Sequence, residues 1–402
     1  MAKKEIKKPL KKGQGKFQLV GEAKINDFTF KIDEESKHSD WIYNTLNLGV
    51  DCGNGNTVYS EMMGGYGSER NNLVYAHGIK EDKTDDYENR FQIDWDDRFD
   101  EDILKTIGKQ CFITIGIEKD KKGKLFIKNF LSPYDAIAYV QEHLTDGTVI
   151  TVKGDLKYTT YKDNVQMKKV ITSIFLSKAD DPSKYSATFS QTVLLNKESV
   201  GKLDKEKAIY PITTTIIDYT KEWKDKEVKT NIPFIKMMEV VVDKDKPENT
   251  KKLIDKYLKV KKSGYTEIIL EGNIVEGQIL VNITEADISD EIKELIEMGA
   301  YTMEEVTAKM TVGNNQREKR MIIKKPQFRM VGEEGSKEAV VQITQNAYTD
   351  EDLLLDFMFE DEEEAPFDTD DTDTDNDTDN NTDKNENDDT DDNSWLKELG
   401  ED

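Results

Sequence analysis

Stretches rich in β-branched residues and of strand length recur along this sequence at a spacing of roughly ten residues, with turn-forming residues between them. From position 147 onward they read TVITVKGDLKYTTY, QMKKVITSIFLS, YSATFSQTVLL, YPITTTIIDYT and FIKMMEVVV, then, after a helical stretch at 250–260, YTEIILEGNIVEG. This rhythm fits an all-β barrel of five or more strands better than a βαβ sheet. Upstream, FQLVGEAKI (17–25), TLNLGVDC (45–52), TVYSEMMGGY (57–66), CFITIGIE (111–118) and KLFIKNFL (124–131) read as a small barrel or sandwich. DAIAYVQEHL (135–144) has helical spacing and sits where a linker helix would separate two barrels. Ser289 and Thr302 are placed to cap two short helices within 286–310. The expected organisation is a flexible basic arm (1–16), an N-terminal β-rich domain (17–146), a second barrel domain (147–285), a helical segment with a closing strand (286–350) and a tail (351–402).

Charge is divided between the ends. The net charge is −25, yet residues 351–402 hold 24 acidic and 2 basic residues, leaving 58 acidic and 55 basic in the body. The first sixteen residues carry seven lysines against one glutamate. An acidic total ordinarily argues against a nucleic-acid partner, because lysine and arginine supply the phosphate affinity; here the tail sets the total and says nothing about the body. After Asp350 the text becomes a polymer of Asp, Thr and Asn that buries too little apolar surface to offset its ordering entropy, which predicts disorder over 351–402. Its aspartates lack the turn glycine and the bidentate glutamate of an EF-hand, so calcium is not expected. Cys52 and Cys111 are too few for a disulfide framework and have no metal-ligand spacing, which predicts two core thiols in a reducing compartment. No apolar run suited to a signal peptide or a membrane span occurs, so a cytoplasmic protein without a membrane partner is expected.

No catalytic motif survives inspection: there is no Walker loop, GxSxG or HExxH, and the histidines are His38, His77 and His143. The reading is a protein that is not an enzyme, with no cofactor and no metal. The GNG of CGNGN (52–56) reads as a hairpin turn in preference to a phosphate loop. The most informative stretch is GTVITVKGDLKYTTYKDNVQMKKVITSIFLS at 147–177. Alternation places Val149, Thr151, Lys153, Asp155 and Lys157 on one face and Val152, Gly154, Leu156 and Tyr158 on the other. Tyr158 and Tyr161 flank the turn into the strand holding Lys168 and Lys169. Lysines that follow phosphates and aromatics that stack on bases suit single strands, each stacked base contributing about 1–3 kcal/mol. The plainer alternative is packing, since Tyr and Lys are common in exposed strands. In the first unit, Tyr66, Arg70 and Tyr75 lie in or beside the glycine-rich stretch 59–78, either a loop closing over a strand or a hairpin tip without a ligand.

The strand TVITVKGDLKY, a polar turn and the returning strand MKKVITSIFLS resemble the first hairpin of OB-fold single-stranded DNA-binding proteins. Together with the acidic tail, this makes the chain similar to bacteriophage and bacterial members of that family, the phage versions more than the bacterial one. The resemblance covers 147–177 and the tail architecture. It implies a mainly β fold with a few helices, one or two OB-type barrels and a disordered acidic tail. It further implies DNA contacts at positions such as Lys153, Lys157, Tyr158, Tyr161 and Lys169, and a sequence-nonspecific role in replication or recombination. The chain is more than twice the length of a typical bacterial member, and the family's stacking tryptophans are not evident in this stretch. Tetramerisation therefore does not carry over, and homo-oligomerisation stays open.

The tail sets apolar groups at both edges of its acidic spacer, in LLLDFMFEDEEEAPFD (353–368), which includes Phe367, and in SWLKELGED (394–402), where Trp395, Leu396 and Leu399 fall on one helical face. In the resembling family such an end recruits replication and repair proteins and competes with DNA for the groove. Lysines 3, 4, 7, 8, 11 and 12 are expected to form an arm that neutralises phosphates or docks on the tail, with a solubilising terminus as the alternative. The competing function is a non-catalytic protein-interaction or virion-assembly module whose tail mimics nucleic acid.

Overall fold

The computed structural model describes residues 7–161, 164–179, 181–223, 226–243, 245–278, 288–303, 306, 317–332 and 337–355. Within these, the strands are β1 (Gly15–Lys24), β2 (Phe30–Glu35), β3 (Trp41–Asp51), β4 (Thr57–Gly67), β5 (Leu73–Ile79), β6 (Asp85–Asp94), β7 (Ile113–Lys119), β8 (Leu125–Phe130), β9 (Val149–Tyr161) and β10 (Asn164–Leu176). There follow β11 (Ser186–Leu195), β12 (Ile209–Trp223), β13 (Lys226–Val241), β14 (Tyr265–Gln278), β15 (Arg317–Pro326), β16 (Phe328–Val331), β17 (Glu338–Val341) and β18 (Ile343–Tyr348). The helices are α1 (Glu101–Leu104), α2 (Pro133–His143), α3 (Pro247–Leu253), α4 (Asp290–Glu297) and α5 (Asp350–Leu353). The fold is mainly β and contains a closed five-stranded barrel, as the sequence led us to expect.

Two closed circuits can be traced through the ladders. In the first, β1 pairs antiparallel with β3 and β9, β3 with β4, and β9 with β10, which returns in parallel to β4 at Val170 and Glu61. In the second, β11 pairs with β12 and β14, β12 with β13, and β14 with β15, which returns in parallel to β13 at Ile322 and Glu239. Each circuit has the Greek-key order of an OB barrel. Alternation explains the burial: Val152, Leu156 and Tyr158 turn inward from β9, whereas Lys153 stays exposed.

The barrels join through their first strands, β1 lying antiparallel to β11 with Phe17 opposite Phe189. Around that pair the two circuits correspond position by position. Phe17 faces Gly154 on β9, and Phe189 faces Gly272 on β14. A Cβ on Gly154 would lie 1.9 Å from the carbonyl oxygen of Val170, and one on Gly272 2.0 Å from that of Ile322. Each fifth strand also bulges at the matching place, skipping Thr172 in β10 and Lys324 in β15. Both phenylalanines are buried, each contributing about 2 kcal/mol relative to exposure.

Several contacts lock the barrels together. Lys169 Nζ donates to Glu276 Oε1 at 2.6 Å, both side chains being buried. The backbone N–H of Tyr158 donates to Asp218 Oδ2 (2.9 Å), and the corresponding N–H of Glu276 donates to Asn56 Oδ1 (2.8 Å). Thus the hairpin between strands two and three of each barrel grips the fourth strand of the other. The Gly53–Gly55 turn, with Gly53, Asn54 and Gly55 all at positive φ, is the hairpin expected there.

Strand pairing departs from the expected domain division in several respects. The hairpin at 147–177 is the last of the first barrel, not the first of the second, because β9 pairs with β1 and β10 reaches β4. The first barrel therefore runs past 146 to Leu176, and the second opens at Ser186. Helix α2 is not a linker: it packs against β3, β4 and β7, with Ser132 Oγ accepting from the Tyr134 N–H at its start. Residues 7–14 are not a free arm, since they run along the second barrel. Lys7 Nζ donates to the Leu354 carbonyl (2.7 Å), Lys8 N–H to Asp352 Oδ1 (2.7 Å), and Leu10 packs with Leu194, Ile217 and Tyr348. Leu353, expected to open the tail's apolar edge, is buried in that same cluster. The tail from 356 onward, with Phe367, Trp395, Leu396 and Leu399, lies outside the described residues, as do Lys3, Lys4 and most of the second helix expected within 286–310.

Candidate nucleic-acid interface

Three lysines of the β9–β10 hairpin lie on its outer face. Lys168 lies opposite Lys157, and Ser173 opposite Lys153, so Lys153, Lys157 and Lys168 share the outer face. Lys153 opens onto a groove of about 590 Å³ at the junction of the barrels, where Phe17 and Phe189 form part of the lining. Four lysines, Lys16, Lys153, Lys324 and Lys325, line it against one glutamate, Glu271. Lys16 pairs with Asp155 (2.5 Å) and Lys325 with Glu271 (3.3 Å), whereas Lys153 and Lys324 make no ion pair among the described residues.

Farther along the hairpin, charge is crowded. Burial lowers the Lys157 pKa, and Lys12 beside it lowers it further, against the opposing pull of Asp218 and Asp155. Lys12 is itself paired with Asp218. Lys168 lines a second groove of about 300 Å³ with Asn47, Tyr59, Glu61, Glu276 and Lys319. Burial pushes the Glu61 carboxyl up, with Lys168 and Lys169 pulling the other way. Tyr59 lies across Gly49, where an added Cβ would be 3.0 Å from the tyrosine ring, on the face of β3 and β4. Those are strands two and three of the barrel, the face OB folds use for oligonucleotides.

Two nominated residues are excluded from direct contact by burial. Tyr158 is 1% exposed, its hydroxyl donating to Gln191 Oε1 (3.2 Å) and its ring 6.3 Å from that of Phe234. Lys169 is 7% exposed and committed to Glu276. Tyr158 lies on the inward face of β9 and packs against Phe234 of the long hairpin β12–β13, while Lys169 is held by Glu276 of β14. The backbone of Tyr161 ends β9, and its side chain lies outside the described residues.

The remaining nominees lie elsewhere. Tyr66 packs 5.4 Å from both Trp95 and Tyr134, in an aromatic cluster where Arg98 sits 4.1 Å over Trp95 and binds both carboxylate oxygens of Asp135. Arg70 is exposed and pairs with Asp40 at 3.5 Å. Tyr75, 74% exposed, belongs not to a loop but to β5, on a β5–β6 ribbon with a core of its own around Ala76, Ile93 and Ile107. Sequence reasoning missed Lys16, Tyr59, Lys324 and Lys325 as partners of Lys153 and Lys168. The signal that would have found Lys324 and Lys325 is the weak repeat of VKGDL (152–156) in LEGNI (270–274), which matches β14 to β9, with β15 paired beside it and its Lys324 and Lys325 at the junction groove.

Comparison with known proteins adds a family. Residues 104–309, half of the chain, match the profile of the YorF family. No curated protein matches. Among solved structures, the single-stranded DNA-binding protein of Thermus aquaticus aligns at 8% identity and a TM-score of 0.29, over 81% of this chain and 98% of that one. A deletion mutant of the same protein aligns at 9% identity and a TM-score of 0.25, over 66% of this chain and 88% of that one. On the strength of the profile match, which begins in the first barrel's insertion and runs deep into the second barrel, the chain belongs to the YorF family.

Proposed function

We propose that this protein binds single-stranded DNA without sequence preference, along the lysine-bearing outer face of β9–β10 and the groove between the barrels, and that it does so without catalysis or a cofactor. The observation that carries the reading is the junction groove, where four lysines face one glutamate and Lys153 and Lys324 make no ion pair among the described residues. Phosphates supply that missing charge, and each one neutralised on a single strand steepens the fall of log K with log salt by about 0.7. Tyr59, on the face of strands two and three, supplies a ring for a base. A cytoplasmic role in replication or recombination, a bacteriophage setting, and a tail that recruits partners and competes for the groove complete the proposal, on the sequence resemblance alone.

The test is a fluorescence-anisotropy titration of labelled oligo(dT) with the full chain and with residues 1–355, at low and moderate salt. Tight, salt-sensitive binding that strengthens on truncation supports both the groove and the competing tail. Absence of binding by either form overturns the proposal in favour of a protein-interaction module.

A further inference from the structure

Past Lys324 and Lys325 the chain keeps running along the wall of the junction groove. The Gln327 N–H donates to the Ile269 carbonyl at 2.8 Å, which carries the β14–β15 pairing one residue beyond Pro326. The Gln327 carbonyl accepts the Gln342 N–H at 3.0 Å, which opens the β16–β17 pairing. One ladder therefore passes into the next without a break. The Gln327 side chain donates to Glu271 Oε1 at 3.0 Å and to Ser190 Oγ at 3.4 Å, and both of those residues line the groove. The β16–β17 ribbon is thus rooted in the groove wall.

Alternation assigns the two faces of the ribbon. Lys325 and Gln327 both turn toward the groove, so Arg329 and then Val331 follow on that side, with Val340 opposite Arg329 and Glu338 opposite Val331. Phe328, Met330, Ala339 and Val341 take the other side, and Val341 packs against the barrel core, which fixes that side as the inner one. Arg329, Val331 and Val340 are exposed, and Arg329 makes no ion pair among the described residues. At about 3.4 Å per residue, Arg329 stands roughly 13 Å beyond Lys325, and it is not part of the groove lining.

We propose that the outer face of β16–β17 is a further DNA-binding site, where a single strand leaves the junction groove past Lys325, Arg329 taking a phosphate and Val331 with Val340 packing on the adjoining base. This rests on the DNA-binding reading of that groove and extends it. A guanidinium holds a phosphate through two parallel hydrogen bonds, and exposed aliphatic side chains give an unstacked base an apolar surface. Charge favours this occupant over a peptide. The face continues a wall where four lysines meet one glutamate, and Glu338, farther out than Arg329, is the one carboxylate that the described residues of the ribbon's outer face add to it. The site follows the fifth strand of the second barrel, away from strands two and three and from the loops with which OB folds bind oligonucleotides.

The experiment titrates labelled oligo(dT) of increasing length, about 4 to 32 nucleotides so as to span the sites of one and of two OB folds, with the full chain and its variants. Arg329→Ala is expected to leave the shortest oligonucleotides that bind at wild-type affinity, to weaken the longest by about fivefold and to lower their salt slope by about 0.7. Arg329→Lys should keep that slope. Val331→Thr with Val340→Thr removes apolar surface from the outer face without changing charge or strand propensity, and should weaken the long oligonucleotides by about threefold. Met330→Thr, on the inner face, should leave them unchanged. Wild-type binding with Arg329→Ala indifferent at every length would overturn the extension, keep the groove and leave the ribbon's outer face to a protein partner. Equal weakening at every length, or a loss in Met330→Thr as large as that of the outer-face variant, would overturn it as well. No binding by wild type at any length would remove the groove together with the extension, an outcome distinct from failure of the ribbon alone.

Discussion

Lysines of one hairpin do three different things in this fold, and their surroundings decide which. Lys153 and, across the junction, Lys324 make no ion pair among the described residues, so the double charge reversal Lys153→Glu with Lys324→Glu should weaken oligo(dT) binding by roughly tenfold or more and flatten the salt slope by up to about 1.4. An unchanged slope would remove the groove from the DNA path. Lys157 is held below the ordinary lysine pKa, chiefly by burial. A base whose folded pKa is depressed costs stability while charged, and the cost lessens as pH rises through the folded pKa. Lys157→Met should therefore raise Tm at neutral pH while weakening DNA binding, and a lower Tm would contradict the crowding argument. Lys169 is structural. Glu276 offsets both Lys169 and the half-buried Lys236, so Glu276→Gln should lose about 3–5 kcal/mol in urea denaturation, whereas the triple change Lys169→Met, Glu276→Leu and Lys236→Met should recover most of that loss. A mild effect of the single change would mean that the pair is solvated.

At the scale of elements, the two barrels meet through a glycine on each fourth strand. Gly154 and Gly272 each sit under a phenylalanine and against a carbonyl oxygen, at 1.9 and 2.0 Å from where a Cβ would be. Gly154→Ala and Gly272→Ala should thus each destabilise by more than about 2 kcal/mol, and by similar amounts. Strongly unequal losses, read by thermal unfolding, would contradict the correspondence of the barrels. Strand existence was legible from alternation, and so was the outward aim of Lys153 and Lys157, because both are local properties of β9. Which barrel the hairpin belonged to was not, because it depends on the pairing of Val149–Asp155 with residues more than a hundred positions upstream. The burial of Tyr158 was likewise hidden: the residue that covers it, Phe234, comes from a strand of the other barrel.

Across the whole molecule, the two ends of the described chain are tied to one place. Asp352 accepts the Lys8 N–H through one oxygen and the Thr349 N–H through the other, which caps α5 and pins the N-terminal segment beside it. Lys8 Nζ adds a bond to the Ala347 carbonyl at 2.6 Å and lies 4.7 Å over the Tyr348 ring. The basic terminus and the start of the acidic tail are thereby brought together. The Lys8 N–H, then that of Thr349, holds the Asp352 carboxyl below its ordinary value. A depressed carboxyl stabilises the folded contact above its unfolded pKa and loses that contribution as pH falls through the folded one. Protection of residues 7–12 in hydrogen exchange, corrected for the intrinsic pH dependence, should thus hold at neutral pH and fail below the usual carboxylate range. Asp352→Asn should already be unprotected at neutral pH, so wild type converges on it in acid. Protection that persists in acid, or that survives the substitution, would place the hold on Leu10 and its apolar neighbours, and the carboxylate would then be incidental to the closure of the chain.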